Sequence, residues 1–446
     1  MSSQKYDFID LILLIGTNPL PNYVVAKYFH NTNKTLERVW LIYSETTDFY
    51  QGTEQYAKDI KKVLEKEFKE SDVRYLLYNL SDISRARTIE ERVAKILSEQ
   101  SGRRKVHLNY TGGTKAMSVH AYRALEKEFG EGFSASYLDA RDYRIKFDKN
   151  PDIDTGDLRK AIQLEMPDLF SLHNSEILVG STNNEYFEAI SDLDGSIRDN
   201  IMQSIADLAK EEKLLDLREW LNTANQGELF SGEKSKGEIE ETMAIFNDNH
   251  HENELLFNYL SKFPDNDRFC DKEGNWSYRN FGKNKNTKQL NKFLSGGWLE
   301  AYVAWVIGNN CKDQNSVITN IHLKTKGNKS VSKDFEIDVL AKNGYQICGI
   351  SCGTSLKFTK DQQKETLPDG GKLKNKGFEV ILRSSQIGGD EARSVLVTLL
   401  NPKLAKDLED DLKAATGAGQ DKFIVLGRKD LPAEKMWKKL KKHIYG

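Results

Sequence analysis

From residue 6 to about residue 148 the chain alternates strand-like and helix-like stretches: Phe8–Ile15, Val24–Phe29, Val39–Tyr43, Ala57–Phe68, Val73–Tyr78, Ile89–Glu99, Lys105–Asn109, Thr114–Phe129 and Phe133–Leu138. That rhythm leaves few folds open and predicts a doubly wound, parallel α/β sheet. Ligands of such sheets bind outside the carboxyl ends of the strands, at the point where strand order reverses. The chemistry of the turns in this stretch therefore matters more than that of its strands.

Two turns have the right chemistry. Asn109-Tyr110-Thr111-Gly112-Gly113-Thr114-Lys115-Ala116-Met117 joins an apolar strand to a helix. Its paired glycines let main-chain N–H groups approach an anion at a helix N-terminus, Thr111 and Thr114 add hydroxyls, and Lys115 adds a positive charge. The turn predicts a phosphate site, yet it has the spacing of neither G-x-x-x-x-G-K-[ST] nor G-x-G-x-x-G. The second turn, Gly16-Thr17-Asn18-Pro19-Leu20-Pro21, follows the first strand; its prolines stiffen it, while Gly16, Thr17 and Asn18 offer small polar surface.

The 446 residues allow two or three domains, and a net charge of -2 with 30% charged residues predicts a soluble protein without the global basic excess of a non-specific nucleic-acid binder. Contact with nucleic acid must be local. Cys270, Cys311, Cys348 and Cys352 have no zinc-type spacing and the first residues no signal-peptide pattern, so a cytoplasmic location is expected. Leu11–Ile15 is too short to span a bilayer, so no membrane role is expected.

Residues 149–292 read as a mostly helical connector, with helical periodicity at Ile197–Leu221 and Glu238–Phe263, a polar loop at Asn222–Lys236 and a mobile segment over Asp265–Lys292. From Phe293 to Gly446 a second α/β domain with a mixed sheet is expected: a helix from Gly297, strands at Ile318–Thr325, Phe335–Ala341 and Tyr345–Ser351, then helix, strand and helix. Glu336 and Asp338, two apart on a strand, share one face, and two carboxylates there repel unless a cation lies between them. Glu300 offers a third oxygen, giving a set suited to Mg²⁺ or Mn²⁺ and so to phosphodiester hydrolysis. The alternative reading places Glu336 at a solvated edge and pairs Asp338 with a lysine.

The segment Phe293–Glu300, the Glu336–Leu340 strand, Ile350-Ser351-Cys352 and Gly388–Arg393 together resemble the PD-(D/E)XK nuclease domain of CRISPR ancillary nucleases. Leu14–Val24 and Asn109–Met117 resemble the CRISPR-associated Rossmann fold (CARF) sensor of the same effectors. The resemblance implies a CARF sensor over 1–148, the connector over 149–292 and a PD-(D/E)XK-like effector over 293–446. It further implies a homodimer whose paired sensors bind cyclic oligoadenylate, tetra-adenylate foremost, as activator of a metal-dependent nuclease acting on DNA or RNA in type III CRISPR antiviral defence. Gly16, Thr17, Asn18 and Pro19 would then line the base or ribose side, while Thr111, Gly112, Gly113, Thr114 and Lys115 would hold phosphates. In the effector, Glu300, Glu336, Asp338 and Ser351 would form the catalytic set, with Asp338, Glu300 and the Cys352 carbonyl on the metal.

The nuclease pattern carries an acid, any residue and a lysine where this sequence has Ser351, Cys352 and Gly353. Glu336 is the replacement for the acid, and Lys357 or Lys333 for the lysine. Without them the effector becomes a receptor-controlled binding module that does not cut, using Lys357, Lys360, Lys364, Lys372, Lys374 and Lys376, unless that run is simply solvated surface. A sensor that slowly degrades its own ligand is a third reading. Cys352 is expected to be a buried strand thiol rather than a nucleophile. No Arg is followed, after four to six intervening residues, by a His, the spacing that another class of CARF effectors uses in its ribonuclease domain; Arg103 and His107 have only three between them. The tail Lys435–Ile444 places Trp437, Leu440 and Ile444 on one helical face, expected to dock on the effector.

Overall fold

The structure, a computed structural model, describes residues 6–48, 50–98, 105–181, 195–226, 228–229, 235–250, 254–264, 268–270, 287–311, 317–325, 334–358, 365–368 and 371–446. Strand β1 (Asp10–Leu14) is buried at all five positions. It is followed by α1 (Leu20–Thr32), β2 (Arg38–Tyr43), α2 (Glu54–Glu67), β3 (Arg74–Asn79), α3 (Ala86–Ser98), β4 (Val106–Asn109), α4 (Lys115–Phe129), β5 (Phe133–Asp139) and β6 (Arg144–Phe147). The strands lie in the order β3-β2-β1-β4-β5-β6, all parallel except β6, which returns antiparallel to β5. Strand order reverses between β1 and β4. The two turns picked out by their chemistry are the ones that leave these two strands.

Short helices α5 (Leu158–Ala161) and α6 (Met166–Leu172) lead into β7 (Ser175–Ser181), and α7 (Gly195–Lys210), α8 (Leu214–Gln226), α9 (Lys236–His250), α10 (Glu254–Leu260) and α11 (Thr287–Lys292) follow. A π-helical turn at Phe293–Gly297 runs into α12 (Trp298–Asn310). Then come β8 (Val317–Thr325), β9 (Asp334–Asn343), β10 (Gln346–Gly353), the small ribbon β11 (Lys357–Phe358) and β12 (Glu365–Thr366), α13 (Lys372–Gly388), β13 (Arg393–Thr398), α14 (Pro402–Thr416), β14 (Phe423–Leu426) and α15 (Ala433–Tyr445).

The second sheet has the order β14-β13-β10-β9-β8-β7, parallel over its first three strands and antiparallel over the rest. Its outermost strand, β7, comes from within the expected connector, which is thus not wholly helical. One apolar cluster joins α7–α10 to α12 and to Val339, Ala341 and Ile350 of the sheet. A second cluster runs from Leu11 and Phe29 of the first unit through Leu169 to Ile321, Ile337 and Ile347. Trp437 lies against the first cluster, and Leu440 and Ile444 are buried in it, so α15 docks on the sheet. Most of the expected mobile segment, 265–267 and 271–286, lies outside the described residues.

Candidate functional sites: a sensor turn and a carboxylate cluster

The turn after β4 is held by its own side chains. Asn109 Oδ1 accepts from the Thr111 hydroxyl at 2.7 Å, and that hydroxyl oxygen accepts from Leu138 N at 2.7 Å. Thr114 is the N-cap of α4, its Oγ1 accepting from Met117 N at 3.2 Å. The Thr111 hydroxyl is therefore committed to the turn, whereas Thr114 caps α4 through its oxygen and keeps its O–H to donate; with it, first-turn N–H donors of α4 and the exposed Lys115, which makes no ion pair with a described residue, are the groups that can meet an anion. The glycines also have a tighter reason than ligand approach. A Cβ on Gly112 would lie 2.3 Å from Leu14 O and 2.6 Å from Asn22 Oδ1, and Gly113 has φ +76°. Asn22, which the sequence did not single out, is fully buried and donates to Leu14 O at 3.0 Å, fixing the end of β1 beneath the turn.

The turn after β1 meets the first one: a Cβ on Gly16 would lie 3.0 Å from Gly113 N. Thr17 is exposed there, and Pro19 is buried at the start of α1. Asn18 departs from expectation. Its Nδ2 donates to Glu391 Oε2 at 2.8 Å, across to the second unit, and its Oδ1 is buried against Gly389 with no hydrogen-bond partner. Its amide is thus not offered to a ligand in this conformation. His107, beneath the same turn, is buried between Ser134 and Ser136, each at 2.7 Å, and burial pushes its pKa down to about 3, so it is a neutral packing group.

In the second unit, Asp338 Oδ2 accepts from Cys352 N at 2.7 Å, Ser351 Oγ at 2.9 Å and Lys376 Nζ at 3.1 Å. Alternation along β9 slips at Asp338: Ile337 packs in one apolar cluster and Val339 in the other, and Asn320 on the neighbouring strand has φ +48°. Glu300, on α12, accepts no hydrogen bond from a described residue. Burial first, and then the Asp338 charge, push its pKa up to about 7, against the pull of Lys376. Glu336 is exposed at the edge, 3.8 Å from His322 Nε2, and repels Glu300 more weakly than Asp338 does. Glu336 is therefore a solvated neighbour of the cluster, and Asp338 does pair with a lysine.

That lysine comes from α13 and passes over Gly353. A Cβ on Gly353 would lie 2.3 Å from Leu373 Cδ2 and 3.8 Å from Lys376 Cδ, so the absent side chain at 353 leaves room for α13 to pack and for Lys376 to pass over it. Burial alone would lower the Lys376 pKa, but Asp338 and the other nearby acids outweigh it and raise the value. Lys357, by contrast, lines an adjacent cleft of about 490 Å³ with Arg218, Ser295, Trp298, Thr354 and Lys372. Lys374 pairs with Asp411 at 2.6 Å, while Lys333, Lys360 and Lys364 lie outside the described residues. Cys352 is buried, and burial together with Asp338 and Glu300 drives its thiol pKa far up, which removes it as a nucleophile.

Residues 11–146 match the family model of the Card1 CARF domain. The first unit is a CARF domain. Among solved structures, protein VC1899 from Vibrio cholerae superposes with a TM-score of 0.65 at 13% identity, over 98% of this chain and 98% of its own. Can2 from Sulfobacillus thermosulfidooxidans, solved in complex with cyclic tetra-adenylate, superposes with a TM-score of 0.59 at 16% identity, over 96% of this chain and 98% of its own. The likeness is one of fold and extends beyond the CARF domain to the second unit. No curated protein matches the sequence. Among the described residues no helix is long and apolar enough to cross a membrane.

Sequence reasoning placed Lys376 in a lysine run but missed its pairing with Asp338, because a strand motif gives a register but not the helix that packs over it. Gly353, a small residue at a motif lysine, was the available signal.

Proposed function

We propose that this chain is a cyclic-oligoadenylate-controlled, metal-dependent nuclease of type III CRISPR defence, acting as a homodimer. The observation that carries the catalytic half is the Asp338–Lys376 pair at 3.1 Å, entered over Gly353. An ammonium beside a buried carboxylate can steady charge that develops on a phosphodiester in the transition state. On the sensor side, Lys115 and the α4 N-terminus at the strand-order reversal of a CARF sheet suit a messenger's phosphates. Can2, of the same fold, is described in complex with cyclic tetra-adenylate.

The residues fit a divalent cation. Glu300 is a carboxyl with no donor among the described residues, its pKa raised first by burial and then by its neighbour Asp338. The Cys352 N–H already points at Asp338, and in a strand the carbonyl of the same residue projects to the same edge. Glu300, Asp338 and that carbonyl would hold Mg²⁺ or Mn²⁺. Among the described residues no three acids, histidines or cysteines converge on one point. Such a partial set suits Mg²⁺, which usually keeps several waters and takes further oxygens from substrate phosphates. The ion would supply an activated water and neutralise phosphate charge. Lys376 orients and balances Asp338, and the cleft lined by Arg218, Lys357 and Lys372 receives the adjoining nucleic-acid backbone.

One observation favours a non-cutting receptor instead: Ser351 gives Asp338 a hydrogen bond where the nuclease pattern has an acid. Incubating the full chain with Mn²⁺ or Mg²⁺, cyclic tetra- or hexa-adenylate and DNA and RNA substrates separates the two. Ligand-dependent cutting lost in Asp338→Ala supports the nuclease. Ligand binding with no cutting of any substrate supports the receptor, and breakdown of the ring in the same tube would mark a self-limiting sensor.

A further inference from the structure

The contact between Asn18 and Glu391 joins the loop beside the sensor turn to the end of the helix that carries Lys376. Gly16, two residues earlier, abuts Gly113, so the Gly16–Pro19 loop touches the turn proposed to hold the messenger. Asn18 then reaches out of the CARF domain to the Gly389–Glu391 turn. That turn is the direct continuation of α13, which begins at Lys372 and ends at Gly388. From Lys376 to Gly388 the helix rises about 18 Å, and a regular helix of that length moves as a rod.

The contact is also poised to change. Glu391 is a buried carboxyl, and Asn18 is the side chain that donates to it. The other half of the Asn18 amide is buried without a partner against Gly389, where a Cβ would lie 2.3 Å from Asn18 Oδ1. An amide with one strong and one unmet hydrogen bond is less settled than its surroundings. Elsewhere the seam between the units carries several direct hydrogen bonds, although Arg393 Nε and Tyr345 Oη are buried there without a partner. Gln346 Nε2 donates to Tyr143 Oη at 2.8 Å and to Glu391 O at 2.7 Å, Arg393 donates to Tyr143 Oη at 3.1 Å, and Arg159 donates to Gln346 Oε1 at 3.0 Å. The seam is thus held by direct bonds around Tyr143 and Gln346, one of them to the Glu391 carbonyl, and has a half-satisfied side-chain contact next to the sensor turn.

We propose that messenger binding is relayed within one chain by Asn18, which shifts the Gly389–Glu391 turn and, through α13, sets how Lys376 sits against Asp338. The inference rests on the sensor reading above and gives it a route; Asn18 and Glu391 act as positioning residues and touch no reacting atom. The relay is purely conformational. It requires that the messenger bind the two arrangements of the Gly16–Pro19 loop with different affinity.

The test uses the full chain, calorimetry with cyclic tetra- and hexa-adenylate, and hydrogen exchange of the peptides spanning residues 372–391. In the natural protein the bound ring should change exchange in these peptides by about fivefold or more, the lower end of ordinary coupling between sites. Asn18→Ala should still bind the ring and lose that change, and Glu391→Ala should lose it from the other side of the contact. Glu391→Gln, which keeps an acceptor for Asn18 Nδ2, should retain it. A ring that binds while 372–391 stay unaltered, or an Asn18→Ala protein that transmits the full change, overturns the relay and leaves the sensor standing. A natural protein that binds neither ring overturns the sensor reading, and the relay with it.

Discussion

Replacing Glu300 by Gln tests the carboxylate cluster without relying on turnover. In the folded chain, burial and the Asp338 charge raise Glu300 from an ordinary 4.5 to about 7. A group whose folded value lies above its unfolded one stabilises the fold fully below the unfolded value, and that stability is lost as pH rises through the folded value. For Glu300 the loss runs from about pH 4.5 to about pH 7 and is complete above it. The gap is equivalent to about 3 kcal/mol at most. Solvent reaching the half-buried carboxyl screens this, leaving on the order of 1–2 kcal/mol. Glu300→Gln is neutral throughout, so its urea midpoint in a chelator should stay flat between about pH 5 and pH 8 while that of the natural protein falls. At pH 8 the variant should be the more stable. Millimolar Mn²⁺ should reverse the order, because an ion that binds only the folded state stabilises the natural protein by mass action. Parallel pH profiles for the two proteins, or a Mn²⁺ response that the variant shares in full, would refute the placement of Glu300 beside Asp338 as a cation site.

Lys376→Ala should lower messenger-dependent cleavage by about 10²–10³, the usual loss for one transition-state donor, in a gel assay of labelled substrate. Its unfolding midpoint should also fall, by on the order of 1 kcal/mol or more, because buried Asp338 loses its cationic partner; an undiminished rate would remove Lys376 from the mechanism. Lys115→Ala should weaken messenger binding measured by calorimetry by about tenfold and relax its salt dependence, as loss of one phosphate contact does. Gly112→Ala should destabilise the CARF domain by about 1–3 kcal/mol in denaturant titrations, since its methyl would meet Leu14 O and Asn22; unchanged stability would contradict the packing of that turn.

Much of the fold is legible in the sequence because its signals are local. The alternation from Phe8 to Leu138 encodes a parallel sheet, and turn composition marks the two crossover points at Gly16 and Asn109. The roles of single residues are less legible. The turn-building roles of Thr111 and Thr114 are not legible, because a hydroxyl in a glycine turn looks the same in sequence whether or not it also closes an Asx turn or a helix cap. Asn18 read as ligand surface because its partner, Glu391, is 373 residues away. Lys376 was one lysine among six in a run, and only the packing of α13 over Gly353 sets it apart. β7 escaped the reading because Ser175–Ser181 pairs with Val317–Thr325, far along the chain and with register shifts that blur its pattern.

The position of β7 constrains how the molecule can be dissected. A fragment starting at residue 293 would strip β8 of its outer neighbour and bare the backbone donors and acceptors of a nine-residue strand, a template for pairing between chains. Such a truncation should self-associate through that raw margin. A soluble excised effector therefore has to begin upstream of Ser175, and swapping sensors between related chains calls for a junction near residue 150.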